Sequence, residues 1–258
     1  MSFRPAIVLL ICAVFTSCVD ITKSHRTAAQ LEPMGAAQTG NGWRRAGHVY
    51  CILGWLGIWS RGMDVIATRA QEELGVHAIS LGNPEWRKLA KYIRAEYQGG
   101  RLNEPLVLVG HSIGADDQVR VARALNDGNV PIDLLLLIDP TVPPHIPPNV
   151  IRCVNLYKSH PITDPVPAFR GVRVIADDPN RTAIENVNLR RTDVGFDTSV
   201  INHFNIAKIR GLQDMVLAEI AKTCPVRSAP ARRAPAGQSQ PAAQVQSQQG
   251  PQVQTEPE

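Results

Sequence analysis

An α/β fold, one mostly parallel sheet with helices on both faces, is what this sequence predicts. Three observations carry the expectation. From His48 to Ile220, short apolar runs alternate with segments of helical spacing. The run Ile132–Ile138 is apolar almost throughout, as a strand buried on both sides must be. Hydrophobic residues make up 44% of the 258 positions against 19% charged, enough apolar surface for one sizeable core.

The elements follow in order. His48–Leu53 reads as the first strand and Met63–Leu74 as a helix. Val76–Leu81 reads as the second strand, and Trp86–Tyr97 as a helix ended by Gly99-Gly100. Leu106–Val109 is a fully apolar strand. Ile113–Leu125 is helical, with Val119, Ala122 and Leu125 on one face. Ile132–Ile138 and Val150–Tyr157 read as further strands, with Val172–Ala176 as a candidate for one more. Ile206–Ile220 closes the series as an amphipathic helix. A sheet of this kind places its chemistry at the carboxyl ends of its strands, so the residues just after each strand are the ones to inspect.

The flanks differ in composition. Arg4, the apolar run Ala6–Phe15 and the small residues Thr16 and Ser17 read as a secretory signal over residues 1–18. The apolar run is too short to span a bilayer comfortably. Phe15-Thr16-Ser17-Cys18 resembles a bacterial lipobox, although Phe15 stands where Leu or Val is usual. That resemblance implies a lipid on Cys18, a tether to a membrane surface, and export to the periplasm or a membrane-anchored lipoprotein. Residues 19–45 read as a polar linker, 46–224 as the folded domain, and 225–258, rich in Pro, Ala, Gln and Ser, as a disordered tail.

The net charge of +4 carries little information, since Arg227, Arg232 and Arg233 sit in the tail. There is no basic stripe with interleaved aromatics, so nucleic acid is not an expected partner. Of the five cysteines, Cys12 and Cys18 lie in the signal. Cys51 and Cys153 fall in strand-like runs, and the spacing of these with Cys224 selects no disulfide. No CxxC pair or His/Cys cluster calls for a metal, and no cofactor is expected. The oligomeric state is not legible.

The chemistry follows the strand that ends at Val109. Gly110-His111-Ser112-Ile113-Gly114 is a G-x-S-x-G nucleophile elbow between an apolar strand and an amphipathic helix. A serine on so tight a turn needs small neighbours, and the two glycines supply them. The helix N-terminus puts the Ile113 N–H near a developing oxyanion. Such a serine needs a base and an orienting acid, in this fold in the chain order Ser, Asp or Glu, His. Asp139 follows Ile138 at a strand's carboxyl end, and Asp164, after the next strand, competes with it, with Asp177 and Asp178 behind. His203 lies in a loop just before the closing helix and is the candidate base. His145 and His160 lie in Pro-rich loops, and His111, inside the elbow, is expected to point elsewhere. A second oxyanion donor is expected from Gly54-Trp55-Leu56-Gly57, as the N–H of Trp55 or Leu56. Trp55 and Trp59 are candidates for lining an acyl pocket.

On the elbow, on Leu137-Ile138-Asp139 and on the late His203, residues 48–220 resemble the thioesterase branch of the α/β-hydrolase superfamily. The resemblance implies an α/β-hydrolase-like fold with a minimal lid or none. It also implies a serine esterase or thioesterase acting on a small acyl ester or thioester. It favours Asp139 over Asp164 as the acid. The stretch Asp139–Pro144 also resembles one found in small exported bacterial hydrolases. Ala115-Asp116-Asp117 departs from the thioesterase pattern, which has more small residues there. The rival readings are a non-catalytic cell-envelope binding protein on the same scaffold, and a carboxylester lipase.

Overall fold

The computed structural model describes residues 43–55, 60–142, 144–159 and 171–228. Its elements are β1 (His48–Ile52), α1 (Gly62–Arg69, extended by a π turn over Ala70–Leu74), β2 (His77–Leu81), α2 (Trp86–Gln98) and β3 (Leu106–His111). They continue with α3 (Ile113–Asn126), β4 (Ile132–Ile138), β5 (Val150–Tyr157), β6 (Ala183–Asn188) and α4 (Arg210–Thr223). All belong to one unit ending at Arg227. None of the described helices is long and apolar enough to cross a membrane.

The sheet has six strands in the order β2-β1-β3-β4-β5-β6, and every neighbouring pair is parallel. This is the parallel α/β sheet, covered by helices on both faces, that the alternation of elements predicts. The order has one reversal. The chain steps outward from β1 to β2, then returns to lay β3 on the other side of β1. The loops leaving β1 and β3 therefore diverge and open a crevice at their carboxyl ends, where such sheets bind ligands.

Side chains alternate along each strand, so each strand feeds two cores. Tyr50, Ile52, Leu108, Leu135 and Leu137 pack with Leu89 and Ile93 of α2 and with Val119, Ala122 and Leu125 of α3. Val49, Cys51, Val107, Val109, Leu134, Leu136 and Ile138 face Met63 and Ile66 of α1 and Leu212, Val216 and Ile220 of α4. Burying a Leu or Ile of this kind contributes about 1.5–3 kcal/mol. Cys51, Cys153 and Cys224 are buried and unpaired.

The structure departs from the sequence reading in three places. Val172–Ala176 is not a strand; only Ala176 forms an isolated bridge, to Ile146. The sixth strand is Ala183–Asn188, whose residues are all at least partly exposed, as suits an edge strand. The closing helix starts at Arg210, after a separate 3₁₀ turn over Ile206–Lys208. Residues on either side of 46–224 also make defined contacts. Arg45 and Val226 form an antiparallel bridge, Ala46 N–H donates to Pro225 O (2.9 Å), and Arg227 N–H donates to Arg44 O (2.8 Å). Trp43, in the expected linker, packs edge-on against His77 at 5.8 Å between centroids. Residues 1–42 and 229–258, with the expected signal and Cys18, lie outside the described residues.

Candidate active site

Ser112 ends β3 and begins α3 with φ 58° and ψ −129°, a conformation that side chains rarely adopt. Two constraints force it. A Cβ on Gly110 would collide with the backbone of Gly114 and Ala115, and one on Gly114 would lie 2.5 Å from the carbonyl oxygens of Ile52 and Leu53. Strand and helix can approach this closely only with hydrogens at both positions. The Ser112 N–H still donates to Ile138 O (2.9 Å), so the β3–β4 ladder runs up to the serine. The Ala115 and Asp116 N–H groups donate to Ser112 O (2.9 and 3.3 Å), which leaves those of Ile113 and Gly114 without an acceptor inside the helix.

Asp139 leaves β4 with φ 49°, also left-handed, and its N–H donates to Leu156 O (2.9 Å). His203 comes from the turn Asn202–Asn205. There Asn202 Oδ1 accepts the N–H of Phe204 (3.0 Å), and Asn205 Oδ1 accepts that of Asn202 (2.7 Å). The two asparagines cap each other's backbone, as local side-chain hydrogen bonding favours in turns. This brings three side chains into line. Ser112 Oγ is 2.8 Å from His203 Nε2, and His203 Nδ1 is 2.6 Å from Asp139 Oδ2. The Asp139 and His203 side chains are only 2% and 8% exposed. With Nδ1 donating to the carboxylate, Nε2 is left as an acceptor toward the serine hydroxyl.

The surroundings fix this line. Asp139 Oδ1 accepts the N–H of Lys158 (3.1 Å), and a Cβ on Gly171 would collide with that oxygen. The Lys158 ammonium donates to the carbonyls of Thr198 (2.6 Å), Ser199 (3.1 Å) and Ile201 (2.8 Å), in the segment leading to His203. His111 does not point away from the site. Its Nε2 lies 3.0 Å from the carbonyl oxygen of His203, and its Nδ1 lies 2.6 Å from Ser60 Oγ. Burial, with His203 nearby, pushes its pKa down to about 3, so the ring is neutral. A neutral ring satisfies both contacts with Nε2–H donating and Nδ1 accepting from the Ser60 hydroxyl.

Asp116 and Asp117 now have a physical account. The buried Asp116 carboxylate accepts the Thr141 and Val142 N–H groups (3.1 and 3.0 Å) and the Thr141 hydroxyl. It ties the nucleophile helix to the loop that follows Asp139. Burial raises its pKa, against those hydrogen bonds. Asp117 pairs with Arg120 at 2.6 Å.

The remaining candidates separate from this cluster. His145 pairs with Asp177 (3.4 Å), which also pairs with Arg123 (3.1 Å), and Asp178 accepts the Asn180 N–H (2.9 Å). Asp164, His160, Leu56 and Trp59 lie outside the described residues. Trp55 stands at the crevice, 45% exposed. Its neighbour Gly54 packs against the serine, since a Cβ there would lie 3.2 Å from Ser112 Cβ. Ile113 opens α3 beside the nucleophile. Among the described residues no group of His, Cys, Asp or Glu could hold a metal ion. Sequence reasoning missed Lys158 and Ser60. Lys158 directly follows a strand, the position that parallel sheets reserve for function, but a lysine there reads as solvated.

No protein-family model matches the chain. No curated protein matches it. Among solved structures, it is similar to the NocB thioesterase domain from the nocardicin cluster, with 12% identity, 67% of this chain and 93% of that one covered, and a TM-score of 0.42. It is also similar to the RedJ thioesterase from the prodiginine biosynthetic pathway in Streptomyces coelicolor, with 15% identity, 68% and 89% covered, and a TM-score of 0.38.

Proposed function

We propose that the chain is a serine hydrolase that cleaves an ester or thioester through an acyl-enzyme. The observation that most supports this is the continuous line Ser112 Oγ–His203 Nε2 (2.8 Å) and His203 Nδ1–Asp139 Oδ2 (2.6 Å), starting from a serine in strained backbone. The roles follow from the geometry. His203 Nε2 takes the hydroxyl proton as Ser112 Oγ attacks the carbonyl carbon. Asp139 holds the imidazole in the tautomer that leaves Nε2 free, and stabilises the imidazolium. The Ile113 N–H and a donor from the loop after β1, the N–H of Trp55 or Leu56, receive the negative oxygen. Collapse expels the alcohol or thiol, which takes the proton from His203. Water then attacks the acyl-enzyme, giving its proton to His203. The acid leaves and Ser112 recovers its proton. None of these steps calls on a metal or an organic cofactor.

The residue order of the first 18 positions supports export as a further part of this reading, with Cys18 as the lipid attachment site. Mass spectrometry of the mature N-terminus tests that part separately.

The function is tested by labelling the full chain with a fluorophosphonate probe beside Ser112→Ala and His203→Ala. The expected result is labelling of the wild type that each substitution lowers about 10⁴-fold or more. A folded wild type that takes no label would make a non-catalytic binding protein the better reading.

A further inference from the structure

The reaction above needs His203 held at hydrogen-bonding distance from two partners at once, although it sits in a loop. We propose that Lys158 is a positioning residue that sets the register between Asp139 and His203, an inference that rests on the serine-hydrolase reading.

Lys158 touches both halves of the pair. Its backbone N–H donates to Asp139 Oδ1, the oxygen that does not face the histidine. Its ammonium reaches the carbonyls of Thr198, Ser199 and Ile201, just before His203. An ammonium has three N–H groups and no acceptor. Here three carbonyls of one short segment converge on it, so its whole donor capacity is spent on the loop that carries the base. Lys158 directly follows β5, which pairs in parallel with β4, the strand that ends in front of Asp139. The sheet fixes where the lysine starts, and the lysine fixes where the histidine loop stops.

Burial lowers the ammonium's pKa, Arg190 adds to that, and Asp197 and Asp139 oppose it. A loop that needed only to be ordered could leave these carbonyls to water. Carbonyls gathered on one cation in this way limit where the loop that carries His203 can sit. A displacement of about 1 Å at a reacting group can cost about 100-fold in rate.

The test uses the full chain as wild type, Lys158→Met, Lys158→Arg, and Lys158→Cys before and after treatment with 2-bromoethylamine. The treatment returns an ammonium on a stem of nearly equal length. Cys51, Cys153 and Cys224 are buried, and treated wild type controls for alkylation elsewhere. The readouts are hydrolysis of p-nitrophenyl butyrate, fluorophosphonate inactivation kinetics, and Tm. Lys158→Met is expected to lower kcat and the maximal inactivation rate roughly 10- to 100-fold, with KM within about twofold. The aminoethylated cysteine is expected to return to within about threefold of wild type. Lys158→Arg should recover less, because a planar fork does not match three carbonyls around a point. A Lys158→Met that reacts like wild type overturns the proposal, as does a loss that follows Tm and is not rescued by the restored ammonium. An unreactive wild type overturns the hydrolase reading, and this inference with it.

Discussion

The two ends of the sheet bury the same kinds of residue and treat them differently. At the amino ends of β1 and β2, His48 Nδ1 lies 3.3 Å from His77 Nδ1. Glu104 accepts the Gly47 N–H (2.9 Å) and pairs with Arg227 (2.5 Å). At the carboxyl ends of β3 and β4, His111, His203 and Asp139 are linked as closely, and Asp116 holds the loop after Asp139. The difference lies in the backbone. The amino end assigns its left-handed conformations to glycines, Gly47 at φ 131° and Gly75 at φ 68°, and to one asparagine, Asn129. The carboxyl end assigns them to Ser112 and Asp139, at φ 58° and 49°. Asn129, at φ 52°, closes the turn after α3, where asparagine tolerates such a conformation. A buried histidine cluster alone is therefore a poor marker of chemistry. Strain at a residue that must keep its side chain is the better one.

The comparison is most exposed to Asp139→Asn. The amide preserves shape but stabilises the wrong imidazole tautomer, and the loss of esterase turnover is expected to be about 10⁴-fold. A loss below tenfold would put Asp139 on the same footing as the amino-end groups.

The next effect concerns stability. His111 is neutral in the folded protein, with a pKa of about 3 against 6.5 for a free histidine. Below pH 6.5 the unfolded chain binds a proton there that the folded chain does not. The stability His111 contributes is thus complete above pH 6.5 and is lost as pH falls toward 3, at about 1.4 kcal/mol per unit. His48, whose pKa burial also lowers, acts in the same direction, and Asp116, raised by burial, acts in the opposite one. The difference between wild type and His111→Gln in denaturant titrations isolates the His111 part. That difference should shrink from pH 6.5 to pH 5; a constant difference would show His111 to be protonated in the fold.

The smallest effect is expected at the other pole. His48→Gln should cost about 1–3 kcal/mol of stability by disturbing a buried polar cluster, yet leave the probe-labelling rate within about twofold. A larger kinetic effect would mean that the two ends communicate.

What the sequence revealed tracks burial. β4 was readable to the residue because Ile132–Ile138 is a near-continuous apolar run, and β5 because apolar residues fill six of its eight positions. β6 was invisible, since only Ile184 and Val187 are large and apolar among its six residues, and its pairing comes from β5. Val172–Ala176 has the right composition but adds no strand to the sheet. In the site, the elbow was legible because its two glycines stand at fixed spacing around the serine, although Gly114 is demanded by the carbonyls of Ile52 and Leu53, far back in the chain. Lys158 and the His111–Ser60 brace were not legible. Their partners are backbone carbonyls and hydroxyls far along the chain, which leave no local pattern. The Asp116–Thr141 bond was half legible, as an unexplained acid where small residues are usual.

The pairing of Arg45 with Val226 brings the first and last described stretches of the chain side by side, at the pole away from Ser112. Topologically the folded part is almost a ring, open at one seam. A short bridge from Arg227 back to Trp43 would close that ring, and a new opening could then be cut in an exposed loop such as the one between α2 and β3. In such a permuted chain the strand order and the line from Ser112 to Asp139 would be unchanged, because neither depends on where the ring is cut.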